Sequence, residues 1–448
     1  MLQKWDNIDI PLDVKKIIKQ TLLDNIGVAI GATKYNCSKI ISEFVKENFD
    51  GDESFIWSTG EKTSMLGACL ANGITLDSLD MHDSSHNAKG HAGAAIIPCA
   101  ISICGNLKKY NLEAMENKDF LKMLVIGYET AYRIGEIIDR SKDYSSSASW
   151  NIFGCCAMGC YRFKLNDEQT KNAFGIAEFY SPKSLVMGSM ENPSMIKDGS
   201  GWGSFVGLYS VILAKKNFTC CPSIYYNKKD IWEDIGKKYH ILEYHVFKKY
   251  PVCYWAQASI NAILTIRDKV INNIIDIEKI EIHTFAEALS LGKNIPTTSD
   301  DVQYNIVYPV IETLIDGDFN FDSLTLKNLT NQKKDLINKT KILLHSKFQN
   351  SNINESKYHE NCSQIKIILT DGNSIISELC YVPWDTFRNQ AAPTEKELNR
   401  KFINLCKEGN IKEAYYDHLM KILNNINYYK MDLFLDILKL AHIYKSKL

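Results

Sequence analysis

Apolar residues recur at intervals of three and four along most of this chain, the spacing that lines one face of a helix. Behind Pro11, a residue suited to a first helical turn, Leu12, Ile17, Ile18, Leu22, Leu23, Ile26 and Ile30 keep that spacing through LDVKKIIKQTLLDNIGVAIGA. A second helix is expected from Cys37 to Phe49, before Gly51 and Asp52 break the pattern. Small residues through Lys62–Gly73 suit a helix in close contact with a neighbour. Further helices are expected at Ala94–Leu107, Phe120–Ile138, Ile152–Tyr161, Glu168–Ile176 and Phe205–Ala214. Helix after helix with short connections points to an all-α bundle rather than alternating βαβ units.

The character changes near Ile271. KIEIHTF, Lys279 to Phe285, alternates with the period of a strand. Gln364–Leu369 and Ser374–Leu379 flank Asp371-Gly372, a hairpin signal because glycine accepts the positive φ of a tight turn. Asp301–Asp316 and Leu336–Leu344 suit either helix or strand. Thr394 and Glu397 form a capping box, and from there to Leu448 the pattern is helical again. The expected fold is mainly α. A large all-helical domain, residues 1–268 and 394–448, carries a smaller inserted α+β domain, residues 269–393.

A chain of 448 residues exceeds the size at which one core keeps growing, which agrees with two domains. Its 45% hydrophobic and 23% charged residues are ordinary for a soluble globular protein. A formal net charge of -1 argues against electrostatic capture of nucleic acid. The thirteen cysteines are scattered, without paired CxxC sets, and the adjacent pairs Cys155-Cys156 and Cys220-Cys221 suit neither disulfides nor tetrahedral metal sites. They read as free, mostly buried thiols of a reducing compartment. MLQKWDNIDI lacks the apolar core of a signal peptide, and no apolar run reaches membrane-spanning length, so a cytoplasmic location is expected.

Chemistry concentrates in Leu76–Ala100, LDSLDMHDSSHNAKGHAGAAIIPCA, where Asp80, His82, Asp83, His86, Lys89 and His91 precede an abruptly apolar run. Three of the ten histidines of the chain lie here, as proton-transfer chemistry requires, although a polar loop capping a helix would share the composition. Lys197 precedes the glycine-rich start of an apolar helix, KDGSGWGSFVG, where bare amides (that of Ser200 among them) and a lysine suit a carboxylate. It has neither the spacing nor the preceding strand of a phosphate loop. In FKKYPVCYWAQ, Lys248 and Lys249 stand before a proline and Cys253 after it, placing cations for an anionic substrate or a proton transfer. Tyr308, in QYNIVYP, offers a phenol, or a core hydroxyl. The serine-rich loop Tyr144–Trp150 offers hydroxyls to a carboxylate, or decorates a turn. No GxSxG elbow or HExxH spacing is present, although His82, Asp83, His86 and His91 could in principle gather a metal ion.

These blocks together resemble a known family. Leu12 to Ala32 is similar to the opening helix of the MmgE/PrpD family, which contains 2-methylcitrate dehydratases, cis-aconitate decarboxylases and iminodisuccinate epimerases. ANGITLDSLDMHDSS resembles its NG…ALDFDD run, and GHAGAAIIPCA its HPG…IPA block. Lys197 and KKYPVCYWAQA resemble its lysine and K-x-Y-P-x-C segments, and DDVQYNIVYPVIETLIDGD its FS-x-P-Y…LLDG block. TDGNSIISELCYVP and AAPTEKELNRKF resemble its closing hairpin and helix. The likeness runs collinearly through nearly the whole chain.

The resemblance implies a homodimer in which the α+β domain is a lid over a cleft, with neither metal nor organic cofactor. It puts Asp80, His91, Lys197, Lys248, Cys253 and Tyr308 in the pocket. Lys197 and Lys248 would hold carboxylates, His91 would move the proton, Asp80 would orient it, and Tyr308 would donate to an oxyanion. Substrate contacts are expected from His82, His86, Cys253, Lys249 and Ser200. The sequence departs from the family at three places. A histidine of the serine-rich loop is absent around Ala148, a Thr-His pair is Ala256-Gln257, and a GHP element is Trp384-Asp385-Thr386-Phe387. His82 and His86 are candidates to replace the lost groups. The expected activity is a cofactor-independent lyase, dehydratase or decarboxylase, acting on a small di- or tricarboxylate. The alternatives are an epimerase of an iminodisuccinate-like dicarboxylate and a non-catalytic carboxylate-binding relative. Neither nucleic acid nor membrane is an expected partner.

Overall fold

The computed structural model describes residues 2–105, 107–138, 145–348 and 361–443. The fold is mainly α. Helix Leu12–Ala32 starts behind Pro11 and is buried without a break from Thr21 to Ala32. It touches helices Met65–Asp77, Gly93–Ser102, Asn117–Ile137 and Glu395–Glu408, so it needs apolar residues on every side. Helices Ala148–Arg162, Asp167–Phe179 and Ser200–Lys215 pack on one another beside them. Where Met65–Asp77 meets Ser200–Lys215, a Cβ on Gly73 would lie 2.6 Å from the Gly201 Cα, so this crossing requires glycine. The expected small-residue helix starts three residues late, at Met65, because Lys62–Thr63 pairs as a strand with Ser54–Phe55.

The α+β character expected after Ile271 is present. Strand Ile277–Thr284 buries Ile277, Ile280, Ile282 and Thr284 and lies between Thr340–Leu344, parallel, and Cys362–Leu369, antiparallel. The Asp371-Gly372 turn, with Gly372 at φ 85, leads Cys362–Leu369 into Ser374–Ile376, while Cys380–Tyr381 pairs with its start. Helix Gln257–Val270 packs on Cys362–Leu369 and on helix Val307–Asp316. The two segments that suited either state divide accordingly: Val307–Asp316 is helical, and Leu336–Leu344 joins the end of helix Asn331–Asn338 to a strand. The buried apolar side chains of bundle and sheet belong to one continuous cluster. All thirteen cysteines are free, nine of them buried. Among the described residues no helix is long and apolar enough to cross a membrane.

Helix Glu395–Glu408, capped by the Thr394–Glu397 box, returns to the first helix and packs along it. Phe402 is fully buried there, close enough that a Cβ on Gly27 would lie 3.0 Å from its ring. Phe402→Ala is expected to cost about 3–5 kcal/mol of unfolding free energy, read from the urea midpoint. A loss below about 1 kcal/mol would mean that this helix does not share the core of the first.

Candidate active site

Leu76–Ala100 is not a solvated loop. His82 and Asp83 are fully buried and His91 is 8% exposed. Ser84–Ser85 forms a short antiparallel pair with His245–Val246, which brings the segment holding Lys248 beside Asp80. The Gly93 N–H, at the start of helix Gly93–Ser102, donates to Asp83 Oδ1 at 3.0 Å. A Cβ at Gly93 would sit 2.0 Å from that oxygen, so glycine is what lets the carboxylate reach the helix start. Asp80, Lys89 and Lys197 hold φ of 49, 50 and 50, a left-handed conformation that costs a non-glycine residue about 1–2 kcal/mol. Such strain clusters at functional sites.

Two imidazoles share one acceptor. His91 Nδ1 lies 2.8 Å and His82 Nδ1 3.3 Å from the Asp83 carbonyl oxygen, and the rings meet edge to face at 4.5 Å. A carbonyl oxygen only accepts, so each Nδ1 carries its proton. His82 Nε2 meets Asp77 Oδ1 at 3.0 Å. Burial and the Lys248 charge pull the His82 imidazolium down, but the Asp77 hydrogen bond and the Asp77 and Asp80 charges outweigh them, so the net shift is upward. His91 goes the other way. Burial, then the charges of Lys248 and His82, hold it well below the ordinary histidine value. It is a neutral base whose bare Nε2 faces Asp198 Oδ2 at 3.6 Å. Ser147 ties the two together: it accepts from the His91 N–H and donates to Asp198 Oδ1, both at 2.9 Å. Burial, then the Asp77 and Asp80 charges, push the Asp198 carboxyl up to about 6.

The lysines are already partnered. Lys248 is fully buried, paired with the Asp80 carboxylate, and donates to the Asp80 carbonyl at 2.9 Å. Lys197 reaches across to Asp300 at 2.5 Å and lies over the Tyr304 ring at 5.1 Å. The Ser200 amide, expected to receive a substrate carboxylate, donates to Asp77 Oδ2 at 3.1 Å instead. A carboxylate of the chain itself takes that helix start.

Asp80, His86, His91 and Cys253 line a cavity of about 820 Å³, mouth included, with Lys89, Ser84 and Ser85. His82, Lys248, Lys197 and Ser200 are absent from the lining and stand one layer behind it through these contacts. Two expected residues are placed elsewhere. Tyr308 is buried in helix Val307–Asp316 and donates to the Ser323 carbonyl at 3.0 Å, the core-hydroxyl alternative. Lys249 is exposed, over the Tyr250 ring at 5.2 Å. The phenol at the cavity belongs to Tyr304, four residues earlier in the same motif, in the non-helical link between helices Ser299–Gln303 and Val307–Asp316. Its hydroxyl is buried without a protein partner, and burial and the charges of Asp80 and Asp198 keep it protonated far above the ordinary value. Asp198, Tyr254 and Trp255 also line the cavity and were missed. The signal for Asp198 was its place in KDG, beside a lysine held in the left-handed region.

Each departure from the family pattern has a local structure. Ser147, beside Ala148, is the link between His91 and Asp198; Tyr144 of that loop lies outside the described residues. Gln257 is buried and clamps the Tyr-Pro-Val-Cys turn by donating to the Tyr250 and Val252 carbonyls, both at 3.2 Å. Asp385 accepts from the Tyr254 hydroxyl at 2.8 Å and approaches His86 Nδ1 at 3.8 Å, while Phe387 stacks on the His86 ring at 4.0 Å. His82 and His91 thus meet at the Asp83 carbonyl, while His86 turns toward Asp385 and Phe387. Among the described residues no group of three His, Cys, Asp or Glu could hold a metal ion.

Residues 3–240 match the family model of the MmgE/PrpD N-terminal domain and residues 250–414 that of the MmgE/PrpD C-terminal domain. A curated relative, the cis-aconitate decarboxylase-like protein oryM of Aspergillus oryzae (strain ATCC 42149 / RIB 40), is 24% identical over 227 residues. That match covers 48% of this chain and 46% of the relative, so the similarity spans about half of each.

Asp198 binds its proton more tightly folded, at about 6, than at its ordinary 3.8. It therefore favours the folded chain below pH 4 and costs stability as pH rises through 6, by on the order of 3 kcal/mol at most. Asp198→Asn is expected to raise the melting temperature at pH 8 and to leave it nearly unchanged at pH 4. An equal shift at both pH values would contradict this reading of the carboxyl.

Proposed function

The chain belongs to the MmgE/PrpD family, and on that premise we propose that it is a cofactor-independent lyase of dehydratase or decarboxylase type. Its substrate is a small di- or tricarboxylate. The observation that carries this reading is the His91 ring, held neutral with Nδ1 on the Asp83 carbonyl and Nε2 beside Asp198. After loss of CO₂ the carbanion takes its proton from the neutral form of the Asp198 carboxyl, since neutral His91 has none on Nε2; in a dehydration His91 Nε2 takes the proton next to a substrate carboxylate. Ionised Asp198 stabilises the imidazolium so formed, and Tyr304 donates to the developing oxyanion. Lys248 and Lys197 supply positive charge behind the cavity wall. The sheet-bearing segment acts as a lid, since Tyr304 and Asn361 from it line the same cavity as His91. The decarboxylase-like name of the fungal relative supports the lyase class.

A second reading, an epimerase of an amino- or imino-dicarboxylate, is favoured by the acidity of the lining. Asp80 and Asp198 face the cavity, while Lys248 and Lys197 are matched by carboxylates of the chain. Incubation with 2-methylcitrate, cis-aconitate and iminodisuccinate in deuterated water separates the readings. Loss of water, or loss of CO₂ with one deuterium incorporated in the product, is expected. Exchange without loss would replace the lyase by the epimerase, and neither would leave a carboxylate-binding relative. His91→Ala is expected to lower turnover by roughly 10²–10⁴-fold.

The working unit is a homodimer. Phe49, Phe205, Trp202, Tyr209, Tyr180 and Phe179 form a chain of ring contacts, and Phe179 is 74%, Ile196 70% and Trp202 46% exposed. Ile40, Phe44, Leu185 and Ile224 are exposed as well, and large apolar side chains left in water in such number suit a protein interface. Sedimentation equilibrium is expected to give twice 51.0 kDa at micromolar concentration. Trp202→Glu with Phe179→Glu should give the single mass; a monomeric wild type would refute the dimer.

A further inference from the structure

Lys401, in the AAPTEKELNRKF block, is given no role by the sequence, yet its ammonium ends directly beneath the site. It rises from helix Glu395–Glu408 and is buried. Its Nζ lies 2.9 Å from the Met81 carbonyl oxygen, 2.8 Å from the Lys248 carbonyl oxygen and 2.7 Å from Asp24 Oδ1. An ammonium has three N–H groups, and here it meets three acceptors. Asp24 is fully buried on the first helix and supplies the countercharge, so the group is not stranded in a dry interior.

The two carbonyls are not arbitrary. Met81 follows Asp80, whose backbone is in the left-handed region, and the Asp80 carbonyl is itself held by Lys248. Two ammoniums thus grip two successive carbonyls of a strained turn, Lys248 the first and Lys401 the second. Lys401 also holds the backbone of Lys248, so both members of the Asp80–Lys248 pair are anchored to it. The second Asp80 carboxylate oxygen is buried without a protein partner, in a side chain that lines the cavity. A small rotation at Asp80 therefore changes what the cavity presents.

We propose that Lys401 is a positioning residue, which sets the Asp80–Lys248 pair from behind through the Met81 and Lys248 carbonyls and so makes helix Glu395–Glu408 part of the reaction apparatus. This rests on the proton-transfer reading above for its catalytic consequence, but the positioning itself is testable without a substrate.

The variants are Lys401→Met, and Lys401→Met with Asp24→Asn, the second keeping the test open should the orphaned Asp24 carboxylate unfold the first. In either folded variant, displacement of the Asp80–Lys248 pair changes two charges beside His82, the ammonium that pulls its titration midpoint down and the carboxylate that pushes it up. The His82 midpoint, followed by imidazole NMR, is expected to shift, and a crystal structure should show the Asp80–Lys248 pair displaced. An unchanged midpoint with the pair in place would overturn the proposal. Turnover of whichever of cis-aconitate, 2-methylcitrate or iminodisuccinate the wild type accepts is expected to drop about ten- to a hundredfold in kcat with little change in KM. Wild-type kcat in a folded variant would equally overturn it. A wild type inert toward all three would instead sink the proposed function, while the titration still decides the role of Lys401.

Discussion

The carbonyl oxygen of Asp83 is the acceptor on which the site depends. It sits among buried groups that have no water to turn to, and it receives the Nδ1 protons of both His82 and His91. That shared contact fixes both tautomers, and what each Nε2 meets makes the two rings different. His82, completed by Asp77, is shifted toward the cation, and His91, facing it, is left with a lone pair toward Asp198 and the cavity. The carboxylate of the same residue receives the Gly93 amide and fixes where helix Gly93–Ser102 begins. Backbone and side chain of Asp83 thus join base, countercharge and helix in a single residue.

Around that centre the structure solves a problem of buried charge. Asp24, Asp77, Asp80, Asp83, Asp198, Lys197, Lys248 and Lys401 are all nearly or wholly withdrawn from water. Burying such groups singly would be prohibitive, and pairing them makes the arrangement tolerable. The pairs also cross the chain, since Lys401 is 320 residues from Met81 and Lys197 103 from Asp300. The site is therefore a junction of remote segments rather than a property of any one loop.

The bundle, the strand beginning near Ile277, the Asp371-Gly372 hairpin and the Thr394–Glu397 cap were legible because each rests on local spacing or local turn chemistry. The resemblance in the motifs was legible too, and the family match bears it out. The site was legible in part. His91, Asp80, His86 and Cys253 stand out by residue type, but Tyr304 and Tyr308 are indistinguishable in QYNIVYP until helix Val307–Asp316 turns one inward to the core. Lys401 carried no signal at all, because a lysine on an amphipathic helix normally faces water and only the fold reveals that this one does not.

The Lys197–Asp300 pair has a further consequence. Asp300 belongs to the short helix Ser299–Gln303, and Tyr304 is the next residue along the chain. On the proposed function, an anion in the cavity that drew the Lys197 ammonium toward it would loosen Asp300 and with it the backbone that carries the Tyr304 phenol. Under that reading the arrival of the guest and the setting of the phenol are one exchange of counter-ions, not two separate events.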